Sequence, residues 1–208
     1  MFRRASFRPA SLTLLTIAAL VGLLTSGPAL AQFRGAYAFL QAVENRDGTK
    51  ATDALKDDPS FVNTRNPDTG ETALIIVAKR RDPTWLRFLV SKDADPSIAD
   101  RQGVTPLMHC ALLNFTDGGE ALLDAGAPVD QTNRRGETAL ILAVQARNAG
   151  MVRLLVRRGA NPDKTDHITG MSARDYAKRD DRTGQFLALL DAKPDGVTRD
   201  SGAIFGPQ

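Results

Sequence analysis

Apolar residues in this chain come in short runs separated by polar breaks. The clearest pair is TALILAVQA at 138–146 and MVRLLVRRG at 151–159. Each run allows two or three helical turns, too few to be stable in isolation, so each must lean on a neighbour. Small side chains recur along one seam, at Val77 and Ala78, Cys110 and Ala111, Ala143 and Val144, and Ala177. Such a seam predicts pairs of short helices stacked closely on one another.

The pattern repeats with a period of 33. Gly70-Glu71-Thr72-Ala73-Leu74 returns as Gly103-Val104-Thr105-Pro106-Leu107 and as Gly136-Glu137-Thr138-Ala139-Leu140, and a fourth opening, Gly170-Met171-Ser172-Ala173, is shifted by one. The endings recur as well: KDADP at 92–96, AGAPVD at 125–130 and RGANPD at 158–163. The Thr or Ser of each opening can cap the first helix, and Pro106 sits at a tolerated early helical position. Gly126 and Gly159 suit a left-handed C-cap on the second helix.

With Thr-Pro-Leu at 105–107, Gly-Ala-Asn-Pro at 159–162 and this period, the chain resembles the ankyrin repeat family. The resemblance is strong over Gly70 to Asp163 and fair to about Leu190. It implies an all-α solenoid of stacked helix–turn–helix units, each with a projecting β-turn finger. Two departures stand out. The histidine usual after Thr-Pro-Leu is replaced by Ile75, Met108 and Ile141, with the nearest histidine one place late, at His109. In the middle unit, NFTDGGEALL at 114–123 sets Gly119 where its neighbours have Leu86 and Val152, which predicts a late or short second helix.

The expected organisation is a degenerate N-terminal capping unit at 32–66, units at 67–99, 100–132 and 133–166, a C-terminal capping unit at 167–193 and a loose tail at 194–208. The first cap presents Phe39, Leu40 and Val43 on one helix and Ala54 and Leu55 on the next, before Pro59 breaks the chain. Polar ends suit the last units of a solenoid, which face water on one flank.

Residues 1–31 read as a secretory signal peptide: Arg3, Arg4 and Arg8, then the apolar run Leu12 to Leu24, then Ala29 and Ala31 at a small-residue cleavage site. The run is too short to span a bilayer comfortably. Cleavage after Ala31 leaves about 177 residues, one domain of ordinary size. Export to the periplasm or secretion is expected, with no stable membrane insertion afterwards. Cleavage also removes three of the 27 basic residues against 24 acidic ones, so the mature chain is neutral and gives no reason to expect nucleic acid as a partner. A single cysteine rules out an internal disulfide, so packing alone must hold the fold.

No phosphate loop, His-Glu-x-x-His, Cys-x-x-Cys or Gly-x-Ser-x-Gly pattern occurs. His109 and Cys110 are adjacent and cannot face each other on a helix; Cys110 reads as a buried stand-in for alanine, and His109 points away from the seam. His167 lies in a finger loop. Glu71 and Glu137 fall two units apart, about 20 Å at a rise of roughly 10 Å per unit, too far for a carboxylate pair working at about 5 to 9.5 Å. No enzyme, cofactor or metal is expected.

Surface remains. In the architecture that the resemblance implies, fingers and first helices line a concave face that holds another protein. Finger tips fall at 66–69, 99–102, 132–135 and 166–169. Arg80, Arg81, Arg101, Arg134, Arg135 and Arg147 would place a basic patch on that inner edge, suited to an acidic protein partner, and His109 would join it. Phe115, beside Gly118 and Gly119, would border a notch in the irregular middle unit. Arg157 and Arg158 serve their helix dipole instead, and Trp85 reads as a packing residue or an outer-face hot spot. A monomeric binding module is expected; the alternative is a structural or enzyme-accessory protein of the envelope, for example supporting an oxidative-stress enzyme.

Overall fold

The computed structural model describes residues 28–181 and 184–192. The expected signal peptide falls mostly, and the expected tail at 194–208 wholly, outside the described residues. The described residues form α1 (Pro28–Glu44), α2 (Gly48–Asp57), a 3-10 turn (Pro59–Asn63), α3 (Ala73–Arg80), α4 (Pro83–Val90), α5 (Pro106–Leu112), α6 (Thr116–Asp124), α7 (Ala139–Gln145), α8 (Ala149–Arg157), α9 (Ala173–Asp180) and α10 (Gln185–Leu190). Helix α1 runs across the expected cut between Ala31 and Gln32. No extended strand occurs among the described residues, only isolated bridges such as Thr132 with Thr138 and Thr165 with Ser172. This is the expected all-α solenoid. First helices stack in the order α1, α3, α5, α7, α9, and second helices pack α4 on α6, α6 on α8 and α8 on α10.

Each local feature traces to a residue that repeats. The Oγ atoms of Thr72, Thr105, Thr138 and Ser172 accept from the backbone N–H three residues on, at 3.4, 3.3, 3.2 and 3.2 Å, so every first helix after α1 begins at a capped turn. Second helices α4 and α8 are capped in the same way by Asp82 and Asn148. The chain leaves second helices α4, α6 and α8 through left-handed residues, Asp93, Gly126 and Gly159, as the glycines at 126 and 159 predicted.

Each finger is built around an Asn or Asp that accepts from the tip amides: Asn66, Asp100, Asn133 and Asp166. The loops from these residues to the opening glycine span Asn66–Gly70 and Asp166–Gly170 in the outer fingers but only Asp100–Gly103 and Asn133–Gly136 in the inner ones. The extra tip residue in the last finger accounts for the one-place shift of Gly170. Neighbouring fingers are chained by single backbone bonds: Arg101 N–H to Thr69 O (3.1 Å), Arg134 N–H to Gln102 O (3.0 Å) and His167 N–H to Arg135 O (2.8 Å).

The core follows the seam. Val77, Ala78, Cys110, Ala111, Ala143 and Ala177 are all buried, as are Phe39, Leu40, Val43 and Leu55 of the first unit. Burial pushes the Cys110 thiol up to about 12, so it stays protonated and packs as a small apolar group.

The middle unit corrects the expectation of a late or short helix. Helix α6 has nine residues, as many as α8. Phe115 takes the N-cap position without a side-chain cap bond, and its ring folds over the backbone of Gly118, where a Cβ would lie 2.2 Å from the ring. Gly118 makes room for the aromatic ring and Gly119 for Met151 of α8, and Phe115 and both glycines are buried.

Asp166 is the most heavily bonded carboxylate of the last finger. It is buried and accepts from Ile168 N–H (2.9 Å), Thr169 N–H (2.6 Å), the Thr169 hydroxyl (2.7 Å) and the Tyr176 hydroxyl (2.7 Å). Burial by itself would raise its pKa, but the Thr169 and Ile168 amides and the two hydroxyls outweigh it and hold the carboxyl below the usual range. A depressed folded pKa means stability that is present above the unfolded value, about 3.9, and lost as pH falls through the folded value. Asp166→Asn is therefore expected to cost about 1–2 kcal/mol at pH 7. The deficit should shrink below pH 4; urea denaturation at pH 7 and pH 3 measures both.

Candidate protein-binding face

The eight residues singled out from the sequence do not form one surface. Arg101, Arg134 and Arg135 lie on finger tips, ahead of the N-terminal ends of α5 and α7. Arg80, Arg81 and Arg147 lie at the far ends of α3 and α7, where the chain turns into the second helix. The first helices carry seven or eight residues, so about 11 Å of helix separates the two rows. The single basic patch becomes two basic rows.

In the turn row, Arg80 is a structural tie. Its Nη1 donates to Val43 O (2.8 Å) and Glu44 O (3.3 Å) at the end of α1, its Nη2 lies 3.3 Å from Asp82 Oδ2, and its side chain is 19 % exposed. Removing it would leave helix-end carbonyls unpaired, so it is corrected from partner-binding to unit-joining. Arg81 and Arg147 are exposed and left-handed, at φ 55° and 56°. Each reaches to the matching turn of the next unit, Arg81 Nη2 to Asn114 O (3.4 Å) and Arg147 Nη2 to Asp180 O (2.8 Å). Carbonyls orient these guanidiniums; among the described residues neither forms an ion pair within 4.0 Å.

In the finger row, Arg101 bonds back to Pro67 O. The Arg135 Nη2 lies 3.6 Å from Glu137 Oε1, with 64 % of the side chain exposed. Arg134 is exposed, and its backbone N–H donates to Gln102 O.

His109 and Phe115 are corrected as surface contacts. The His109 side chain is 14 % exposed, wedged between α5 and the finger with Nε2 3.5 Å from Asp100 Oδ2. Burial lowers its pKa against the pull of Asp100, so it is neutral at pH 7. Phe115 is buried against Gly118. Arg158 bridges to Asp124 (2.8 Å) and Glu120 (3.6 Å) on α6, which makes it a stitch between second helices beyond any dipole role.

The apolar part of the face escaped the sequence reading. Leu112 and Leu113, at the end of α5, are 43 % and 38 % exposed. They occupy the places that Lys79-Arg80 and Gln145-Ala146 fill in the neighbouring units, so the register alone carried the signal: two leucines where both siblings are more polar. They lie in the turn row between Arg81 and Arg147. Among the described residues, no group of three His, Cys, Asp or Glu side chains is placed to hold a metal ion.

The family description "Ankyrin repeats (3 copies)" matches residues 39–133 and 86–166. The chain belongs to the ankyrin repeat family. Mouse (Mus musculus) Inversin is 44 % identical over 104 residues, half of this chain but a tenth of Inversin. A putative ankyrin repeat-containing protein of Treponema pallidum (strain Nichols) is 37 % identical over 110 residues, covering 52 % of this chain and 37 % of that protein. An L-asparaginase of Dirofilaria immitis is 36 % identical over 96 residues, covering 46 % of this chain and 16 % of the enzyme. The chain thus spans well under half of each of these relatives. Ankyrin repeats are protein–protein interaction modules.

Proposed function

We propose that this chain is an exported, non-catalytic ankyrin module that holds an acidic protein partner on its finger and first-helix side. The observation that carries the reading is the exposed Leu112–Leu113 step between Arg81 and Arg147, two exposed arginines whose guanidiniums donate to backbone carbonyls of the next turn. Exposed leucines offer a partner apolar area to bury, and the arginines beside them are of a residue type enriched in interface hot spots. Export rests on the leader pattern of residues 1–31, and a periplasmic or extracellular partner follows from it.

In-cell crosslinking of the tagged full chain, with mass spectrometry of the adducts, tests this in parent, Leu112→Asp/Leu113→Asp and Arg134→Glu/Arg135→Glu strains. The expected result is one acidic protein captured by the parent and lost in the leucine variant, with weaker capture in the arginine variant. Equal capture in all three strains sinks this choice of face. Recovery of the mature chain starting at Gln32 from the periplasm or medium is expected, and an intact cytoplasmic chain sinks the export reading.

A further inference from the structure

The second helices pack one on the next from α4 onward, but α2 and α4 do not close in this way. Two glycines mark how near a neighbour comes at different places, Gly119 at the fourth residue of α6 and Gly48 at the first residue of α2. In α6, a Cβ on Gly119 would lie 2.6 Å from the Met151 Cε of α8. In α2, a Cβ on Gly48 would meet nothing within 4 Å. The space left open is a trench of two adjoining cavities, of about 310 and 370 Å³, which share Thr52.

One wall of the trench is aromatic. Trp85 and Phe88, successive on the same face of α4, meet edge to face with centroids 5.5 Å apart, and both are only partly buried. The Arg80 guanidinium lies 5.9 Å from the Trp85 ring and the Lys92 ammonium 6.0 Å from the Phe88 ring, which holds both aromatics in place. Leu55 continues the apolar lining towards the far end. The charged groups lining the trench are Arg46, Lys56 and Lys92 against a single carboxylate, Asp93. Asp82 and Asp53 lie beside Arg46 and Lys56, whereas among the described residues Lys92 faces only the ring.

We propose that this trench is a second docking surface, which receives a short acidic amphipathic helix of a partner protein. Eight residues of α4 give it a length of about 12 Å, room for two helical turns that present apolar side chains at i and i+4 to Trp85 and Phe88. Lys56 and Lys92, at the end that Leu55 lines, meet the acidic flank of that helix. The trench lies between the second helices and meets the turn row only at one end, through Arg46 and Arg80, so it can be engaged while the finger tips hold another partner or another part of the same one.

Trp85 is the only tryptophan in the chain, so its emission reports occupancy directly. The experiment is display selection of random tryptophan-free 14-residue peptides on the purified protein, followed by titration of the enriched peptides while Trp85 fluorescence is followed. Expected are peptides with net negative charge and an i,i+4 apolar pair that shift Trp85 emission saturably. They should lose about tenfold or more in affinity for Lys56→Glu/Lys92→Glu, two exposed positions, while keeping it for Arg134→Glu/Arg135→Glu. Circular dichroism confirms that the charge-reversal variant is folded. The proposal is overturned if no peptide is enriched over an unrelated protein, if the enriched peptides are neutral or basic, or if they leave Trp85 unchanged. It is overturned equally if Trp85 emission changes with protein concentration alone, which would give the trench to a second copy of the chain.

Discussion

Alanine at Gly136 or Gly103 is expected to lower stability by about 2–4 kcal/mol, and alanine at Gly170 by only about 1–2 kcal/mol. All three glycines are left-handed, at φ 78°, 78° and 67°, so each substitution carries a similar backbone penalty. They differ in what lies ahead. A Cβ on Gly136 would lie 2.6 Å from the His167 backbone nitrogen, and one on Gly103 2.9 Å from that of Arg134. Those amides form the bonds that chain finger to finger, so the clash cannot be relieved by rotating a side chain. Gly170 belongs to the last finger, and a Cβ there meets nothing within 4 Å. Urea denaturation of the three variants separates the two contributions. If Gly170→Ala costs as much as Gly136→Ala, dihedral strain alone explains the recurring glycine and close approach of the next finger plays no part.

The same contrast shows why the fold was legible in the sequence and the site was not. A requirement imposed on every unit leaves a periodic mark: glycine where the next finger comes close, Thr or Ser where a helix needs its cap, small residues along the seam. Those marks are Gly103, Thr105 and Ala111, and each was read from spacing. A binding surface is a departure from the repeat, which period cannot supply. Arg80 and Arg81 are adjacent in sequence, yet one is tied to the carbonyls of Val43 and Glu44 while the other stays exposed. Nothing local separates them, because the distinction depends on where α1 ends. Leu112 and Leu113 stand in the register, but a hydrophobe at the end of a short apolar helix carries no local mark that tells exposure from burial. The trench beside Trp85 arises from a helix that does not close on its neighbour, and a list of residue types carries no trace of that.

Phe115 shows how a departure can also be structural, and its removal should be severely damaging to the middle unit. Phe115→Ala is expected to cost about 3–5 kcal/mol, since the ring is buried and its loss leaves a cavity above α6. The informative result is the pairing with Gly118. In the parent, a Cβ at 118 would lie 2.2 and 2.4 Å from two ring carbons, so Gly118→Ala should destabilise by about 1–3 kcal/mol despite a better helix former. Once the ring is gone, the same methyl enters the vacated space, and Gly118→Ala should become stabilising by up to about 1 kcal/mol. A double-mutant cycle measured by urea denaturation should therefore give a coupling of about 2–3 kcal/mol with a reversal of sign. Gly119→Ala is the control, because the atoms it would approach are the flexible end of Met151 and can move aside at small cost. Additive behaviour at 115 and 118 would mean that the ring does not rest on Gly118, and the middle unit would then need another account of why its second helix keeps full length without a cap.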